Sequence, residues 1–407
     1  MMSGLAAPGF EPGIVSLLVN GMFYEGFKKV EITRSVKEMA GQFALEVSEK
    51  WTGGNDGPAS LMGWRIRPGD ACTVLYSGFP VITGYVDTYC PKYDGQKHDV
   101  SIQGRSKTQD LVDSSADPDV ENGEMRDVGL DQIARKLAEK HGVGVKIDAE
   151  LKGKFDVARV LSGETKHEML ERYARPGAVL LTDDELGNLR LLHVKGMGGA
   201  PLVEGVDILE ASATLRADNR YSDYQTLGQD HGSDQKWGRE VSEIAAKAKD
   251  GAVKRYRPLT VRNETKTSKQ NAKDRCDWEC TSRGGESTRA DVTVVDWIGA
   301  SGLWMPGMTV TLISPMLAIN RPMAVESLSM SQDEGGTFTK LSLVPPEALN
   351  PSAGGGSGSG SSGGGGTGAG GAGSGGGAAS DKAWTDVKPT EQAVPWSNPN
   401  TSIIGAH

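Results

Sequence analysis

Hydrophobic and polar positions alternate along much of this chain with the two-residue period of half-buried strands. One phrase built on that period occurs twice. Arg67-Pro68-Gly69-Asp70 leads into an alternating run at 72–76, a break at Ser77-Gly78-Phe79-Pro80 and a returning run at 81–87. Met305-Pro306-Gly307 leads into 308–313, a break at Ser314-Pro315 and a return at 322–328. In each, Pro presets a turn, Gly supplies backbone conformations that other residues avoid, and β-branched residues favour the strands that follow. This is how a β-hairpin of an antiparallel sheet reads. A further strand follows each hairpin, at 98–104 and at 338–344, and the upstream strands 29–34 and 42–47 are matched loosely by 209–215 and 221–227. The match is one of pattern, without close identity. It predicts two related antiparallel β-barrels, at 14–112 and 209–349, with Pro68, Gly69, Pro306 and Gly307 at equivalent corners. Two like modules per chain let a trimer present six similar units, a device for joining threefold and sixfold objects.

Between the repeats the period changes to that of helices. Asp127 can cap a helix whose Leu130, Ile133, Ala134 and Leu137 form one apolar stripe, and Gly142 is placed to end it. A second helix is expected over 164–175, with Met169, Leu170, Tyr173 and Ala174 inward and Pro176-Gly177 as the stop. Runs at 178–182 and 189–194 flank the turn Asp183-Asp184-Glu185, which reads as a solvated loop. Residues 113–208 are thus a small α+β domain. A third helix near 268–282 reads as an insertion, at about 262–290, in the second barrel.

The ends differ from this body. Residues 1–13 form an uncharged arm as far as Glu11, without the basic start and apolar centre of a signal peptide. Residues 350–380 are almost wholly Gly, Ser and Ala, a flexible tether with nothing to bury. The last segment, 381–407, places Trp384, Val387, Pro395, Trp396 and Pro399 in polar surroundings. Burying both Trp side chains is worth on the order of 10 kcal/mol gross, so these five residues are candidates for binding a partner. The alternative is a tail that folds back on its own body.

Charge and chemistry narrow the function classes. A formal charge of −9 argues against a surface that grips nucleic acid, which needs clustered Lys and Arg. No apolar run approaches membrane-spanning length, so folding in the cytoplasm is expected. Four cysteines make no disulfide scaffold. Cys72 and Cys90 read as a reduced, packed pair, and Cys276 and Cys280, with Ala272, as one buried helix face. His167-Glu168 lacks the second His of a zinc-protease helix, Gly196-Met197-Gly198-Gly199 lacks the strand, helix and Lys of a phosphate loop, and no nucleophile elbow occurs. No catalytic, cofactor or metal residues are expected.

Five segments carry a resemblance. They are the run from Val30-Glu31-Ile32-Thr33-Arg34 to Gln42-Phe43, Gly104-Arg105-Ser106-Lys107-Thr108-Gln109-Asp110-Leu111-Val112-Asp113, the helix at 130–137, Arg255-Tyr256-Arg257-Pro258, and Leu303-Trp304-Met305-Pro306-Gly307. In this order they resemble the baseplate hub proteins of Mu-like contractile-tailed bacteriophages, the group that includes the late control D proteins. The resemblance covers about 14–349 and excludes the tether and tail. It implies a non-enzymatic homotrimer with a pseudo-sixfold ring, lodged in the tail baseplate of a virion and assembled in the host cytoplasm. Such a hub joins the sixfold tail tube, or a tube-initiator protein, to the threefold central spike. Its further neighbours are baseplate wedge proteins and, as an additional candidate, the tape measure protein. Its channel passes DNA without specific binding. The alternatives are a tail-associated cell-wall hydrolase working through the α+β domain and a tip protein of a related contractile injection system.

Overall fold

The computed structural model describes residues 11–49, 66–94, 98–117, 120–151, 153–194, 200–228, 244–262 and 269–349. The chain is mainly β with an α+β middle. Its first part holds strands β1 (Val15–Val19), β2 (Met22–Tyr24), β3 (Lys29–Ser35), β4 (Gln42–Glu49), β5 (Ala71–Tyr76), β6 (Phe79–Tyr93) and β7 (His98–Ser106), closed by the short helix α1 (Gln109–Asp113). The middle holds β8 (Glu124–Val128), α2 (Leu130–Ala138), β9 (Val145–Asp148), β10 (Phe155–Arg159), α3 (Lys166–Ala174), β11 (Leu180–Asp183) and β12 (Leu189–Leu192). The last part begins with β13 (Pro201–Val203), β14 (Ile208–Leu215), β15 (Asp223–Gly228), β16 (Ile244–Lys249), β17 (Pro258–Arg262) and α4 (Lys269–Glu286). It continues with β18 (Thr288–Val295), β19 (Ile298–Gly299), β20 (Gly302–Leu303), β21 (Thr309–Ser314), β22 (Ile319–Asp333), β23 (Gly336–Val344) and the helical turn α5 (Pro346–Leu349).

The duplication is visible strand by strand. Hairpin strands β5, β6 and β7 are 6, 15 and 9 residues long, and β21, β22 and β23 have the same three lengths. The long strand of each triplet carries a β-bulge against its successor, between Val86 and Thr88 in β6 and between Val325 and Ser327 in β22. Outside β7 lie β4 and then β3; outside β23 lie β18 and then β14. The match weakens at the outer flank, where β1 runs antiparallel to β5 but β13 runs parallel to β21.

The two halves form one continuous sheet of 13 described strands, joined where β22 pairs β3. They also share one core, in which Leu17, Ile32, Leu45, Val74 and Ile102 pack with Val292, Trp297, Leu312, Met330 and Leu341. Trp297 is fully buried, stacked at a tilt 4.8 Å from Tyr76, and its indole N–H donates to the Ser331 carbonyl. Burying an aromatic of this size is possible because its one polar group finds an acceptor.

Several expectations change. The counterpart of β4 is β18, not the run at 221–227, which lies in a separate sheet ordered β16-β15-β17 under α4. The insertion in the second half is therefore longer than a helix at 262–290: it fills the whole gap between β14 and β18. The alternation of Tyr224 and Thr226, both buried, reads the same in either sheet, so period alone cannot assign the strand. Residues 201–203 belong to the second half, through β13 and β21, although they fall inside the expected middle domain. Asp127 does not cap α2: it lies within β8, one residue before its end, at a positive φ and pairs with Lys154, while Gly129 occupies the cap and donates its N–H to the Gln132 side-chain oxygen. Thr165 and Glu168 form the reciprocal cap of α3, which begins at Lys166. Cys72 and Cys90 do not form a packed pair, since Cys72 is buried opposite Gly84 while Cys90 is exposed opposite Ser101.

Candidate assembly interface

The joint between the halves is the most informative site in the molecule. Six residue pairs run from Ser327↔Ser35 to Gln332↔Val30. Beneath them Val30, Ile32, Leu328 and Met330 are buried, together worth roughly 6–12 kcal/mol of apolar burial at about 1.5–3 kcal/mol each. At the bulge of β22, Glu326 holds Lys37 at 2.6 Å and also the guanidinium of Arg289, while its carbonyl accepts the Val36 N–H. At the bulge of β6, Asp87 holds Arg105 of β7 at 2.8 Å.

The two Pro-Gly corners make the same hydrogen bonds. Gly69 N–H donates to the Val86 carbonyl at 2.7 Å and Val86 N–H returns to Asp70; Gly307 N–H donates to the Val325 carbonyl at 2.8 Å and Val325 N–H returns to Met308. Both glycines have positive φ, +93° and +79°. Each corner therefore ties the start of a hairpin to the bulge of its long strand. The surroundings differ: a methyl group on Gly69 would meet open space, and one on Gly307 would strike the Leu192 side chain.

A buried charge lies at the centre. Arg34, in the inward phase of β3, is 2 % exposed. Its guanidinium lies 3.4 Å from the Asp183 carboxylate, donates to the Asp184 carbonyl at 3.1 Å and reaches Met305 Sδ at 2.9 Å. Three parts of the chain meet here: the first repeat, the end of β11 in the α+β domain, and the corner of the second repeat. Burial pushes the Asp183 carboxyl up, while Arg34, the Ser106 hydroxyl and the Gly41 N–H pull it back. A side chain at Gly41 would press on both Arg34 and Asp183, so the pair needs glycine there. The turn expected to be solvated is thus largely buried. Asp183 pairs with Arg34, and Asp184 accepts the N–H groups of Leu186 and Asn188. The signal for this was in the sequence: in the order Val30, Ile32, Arg34, a cation takes the third inward position.

The tail residues Trp384, Val387, Pro395, Trp396 and Pro399, the tether and the arm through residue 10 lie outside the described residues. Among the described residues no group of three or more His, Cys, Asp or Glu side chains is placed to hold a metal, and no helix is long and apolar enough to cross a membrane.

Comparison with known proteins follows the same parts. Residues 14–106 match the Mu phage baseplate assembly protein GpP-like N-terminal family, and 108–193 match the second domain of the baseplate hub protein gp44-like family. Residues 220–277 match the third domain of the tail protein NMB1110-like family, and 268–352 match the fourth domain of the Mu phage baseplate assembly protein GpP. The baseplate hub protein gp44 of Escherichia phage Mu is 29% identical over 349 residues, covering 82% of this chain and 88% of gp44. The 43 kDa tail protein of prophage MuSo2 from Shewanella oneidensis is 32% identical, with a TM-score of 0.70 over 83% of this chain and 99% of that one. The tail protein from Neisseria meningitidis MC58, 21% identical, shares the fold at a TM-score of 0.62 over 84% of this chain and 98% of its own. The two strand repeats, the α+β middle, the inserted sheet and these matches agree, and the chain belongs to the baseplate hub proteins of Mu-like bacteriophages.

Proposed function

We propose that this chain acts as a homotrimer whose two strand repeats form a pseudo-sixfold ring at the tip of the tail. The ring joins the sixfold tail tube, or a tube-initiator protein, to the threefold central spike, and its channel passes the genome on ejection. The observation that carries this reading is the duplication itself: two strand triplets of equal lengths, with equivalent bulges and corners, in one chain. Three chains would present six such units. Wedge proteins and the tape measure protein are the further neighbours. The protein is structural, without catalytic residues, and takes its place in the virion baseplate after assembly in the host cytoplasm. Its acidic balance suits a wall along which DNA slides, since each phosphate neutralised by Lys or Arg would add salt-dependent affinity.

The test is the mass of the purified chain in solution, which should be three times that of one chain. Truncation after Asn350, and separately Trp384→Ala with Trp396→Ala, should leave that mass ratio intact and reduce incorporation into tails. A monomer at all concentrations refutes the ring, and full incorporation of both variants refutes the role of the tail. Clearing of a cell-wall zymogram by the purified chain would favour a hydrolase instead.

A further inference from the structure

The repeat leaves one joint unmade. Within the chain, β3 of the first half docks on the far part of β22 in the second half. The counterpart of β3 is β14, and the counterpart of β22 is β6. Among the described residues, β14 ends the sheet with its outer edge open from Leu209 onward, past a single bridge between Glu204 and Ile208, and β5 covers the corresponding edge of β6 only as far as Tyr85. We propose that β14 of one copy pairs with the far part of β6 in the next copy, in the register that joins β3 to β22 within one chain. The proposal rests on the trimeric ring above and specifies how that ring closes.

Exposure at equivalent positions supports it. The ladders align Val30, Ile32 and Arg34 of β3 with Ala211, Ala213 and Leu215 of β14. The first three are 0%, 0% and 2% exposed, whereas Leu215 is 58% exposed and both alanines are half-buried. Leu209 on the same strand is 56% exposed. These apolar residues lack the cover that β22 gives β3. Charge is also matched, because Lys92 near the end of β6 would lie diagonally across from Glu210, and Arg216, just past β14, would lie close to Asp87 at the bulge.

The register follows from the corners and bulges. Val325 corresponds to Val86, so Ser327, Ser329 and Ser331 correspond to Thr88, Cys90 and Lys92. Their partners Ser35, Thr33 and Glu31 correspond to Arg216, Thr214 and Ser212. The expected pairs between copies are Thr88↔Arg216, Cys90↔Thr214 and Lys92↔Ser212. Backbone direction is fixed as well. Thr337 gives its carbonyl to Asp296 on the β18 side, so Gln332 opposite it faces β3, and alternation puts Met330 in the same outward set. Pro91 takes the place of Met330 on β6. It lacks an N–H, so the joint between copies has one donor fewer, and the edge is less open to wrong partners before assembly. Cys90 then falls at a non-hydrogen-bonded pair, where facing side chains approach most closely.

This geometry allows a direct test with the native Cys90. In full-length Thr214→Cys, mild oxidation should link Cys90 of each copy to residue 214 of the next, since such a pair meets the separation that a disulfide requires. A head-to-tail contact that closes after three copies gives one bond per joint. On a non-reducing gel the monomer band should be lost to a covalent series ending at three chains. Cys90→Ser combined with Thr214→Cys should give none, and Ser212→Cys, two residues out of register, should give at most a tenth as much. Trimers by mass that fail to cross-link would overturn this joint and leave the ring standing, as would equal cross-linking from Ser212→Cys. A chain that stays monomeric overturns both readings.

Discussion

Removing the Asp183 carboxylate should destabilise the body more than any surface charge change, because it strands Arg34. The guanidinium is 1% exposed at its side chain and would keep only the Asp184 carbonyl and Met305 Sδ as partners. Leaving one member of a buried ion pair uncompensated costs about 3–5 kcal/mol, so Asp183→Ala should lower the melting temperature by about 6–10 °C, the lower end of the usual conversion for a long body. Arg34→Met should behave differently with pH. Its buried Asp183 loses the one cation that lowers its pKa, so the folded state holds a proton that the unfolded state releases above 3.8. Stability in this variant is therefore greatest at low pH and falls as pH rises through the raised folded value, so part of the loss at pH 7 should be recovered at pH 5. Arg34→Met with Asp183→Leu should lie close to the parent, because an apolar replacement of the whole pair avoids the buried unpaired charge. Thermal unfolding by circular dichroism at the two pH values reads all three. Equal losses in Asp183→Ala and in the double variant would refute the reasoning, since the cost would then come from lost volume.

The Pro-Gly corners should differ in tolerance: Gly69→Ala should cost about 1–2 kcal/mol for its backbone alone, and Gly307→Ala about 1–3 kcal/mol more because Leu192 must move. Pairing Gly307→Ala with Leu192→Ala should give less than the sum of the two losses in denaturant titrations. The cysteines should separate by reactivity: at pH 8 Cys90, exposed in the single chain, should react with a thiol reagent without unfolding, more slowly where copies pair along β6, while Cys72, which burial pushes up to about 12, should react only on unfolding. The same shift makes Cys72 a source of alkaline sensitivity, its contribution intact below pH 9.0 and lost as pH rises to about 12. A Cys72→Ala variant with an unchanged fall in melting temperature between pH 8 and pH 10.5 would refute that assignment.

The hairpins, the two helices of the middle domain and the Pro-Gly corners were legible because each depends on local chemistry. Alternation marks β5, β6, β21 and β22; the stripe of Leu130, Ile133, Ala134 and Leu137 is buried as its spacing requires; and Gly142 ends its helix segment in the left-handed region. What alternation does not carry is partner choice. The run at 223–228 has the right period for the main sheet and joins another, because the chain between β14 and β18 makes a sheet of its own. The same limit hid the β3–β22 joint, whose members lie nearly 300 residues apart. Asp183 and Asp184 were misread for a related reason: acidic residues beside a turn are normally solvated, and only the charged residue in the buried phase of β3 hinted at a partner. Cys90 was misplaced because β6 runs well beyond the hairpin, carrying that thiol away from Cys72 and out to the surface.

The insertion between β14 and β18 has a consequence for how such a body can change over evolutionary time. Two copies of a module on separate chains must vary together, since every substitution appears in both. Fused in one chain, they are free to diverge, and among the described residues only the second carries an additional sheet and the helix α4. An ornament borne by one module of two recurs at half the frequency of the strands that support it. In the proposed ring the fusion would act as a period doubler, leaving the strand lattice nearly uniform while allowing whatever is mounted on it to alternate.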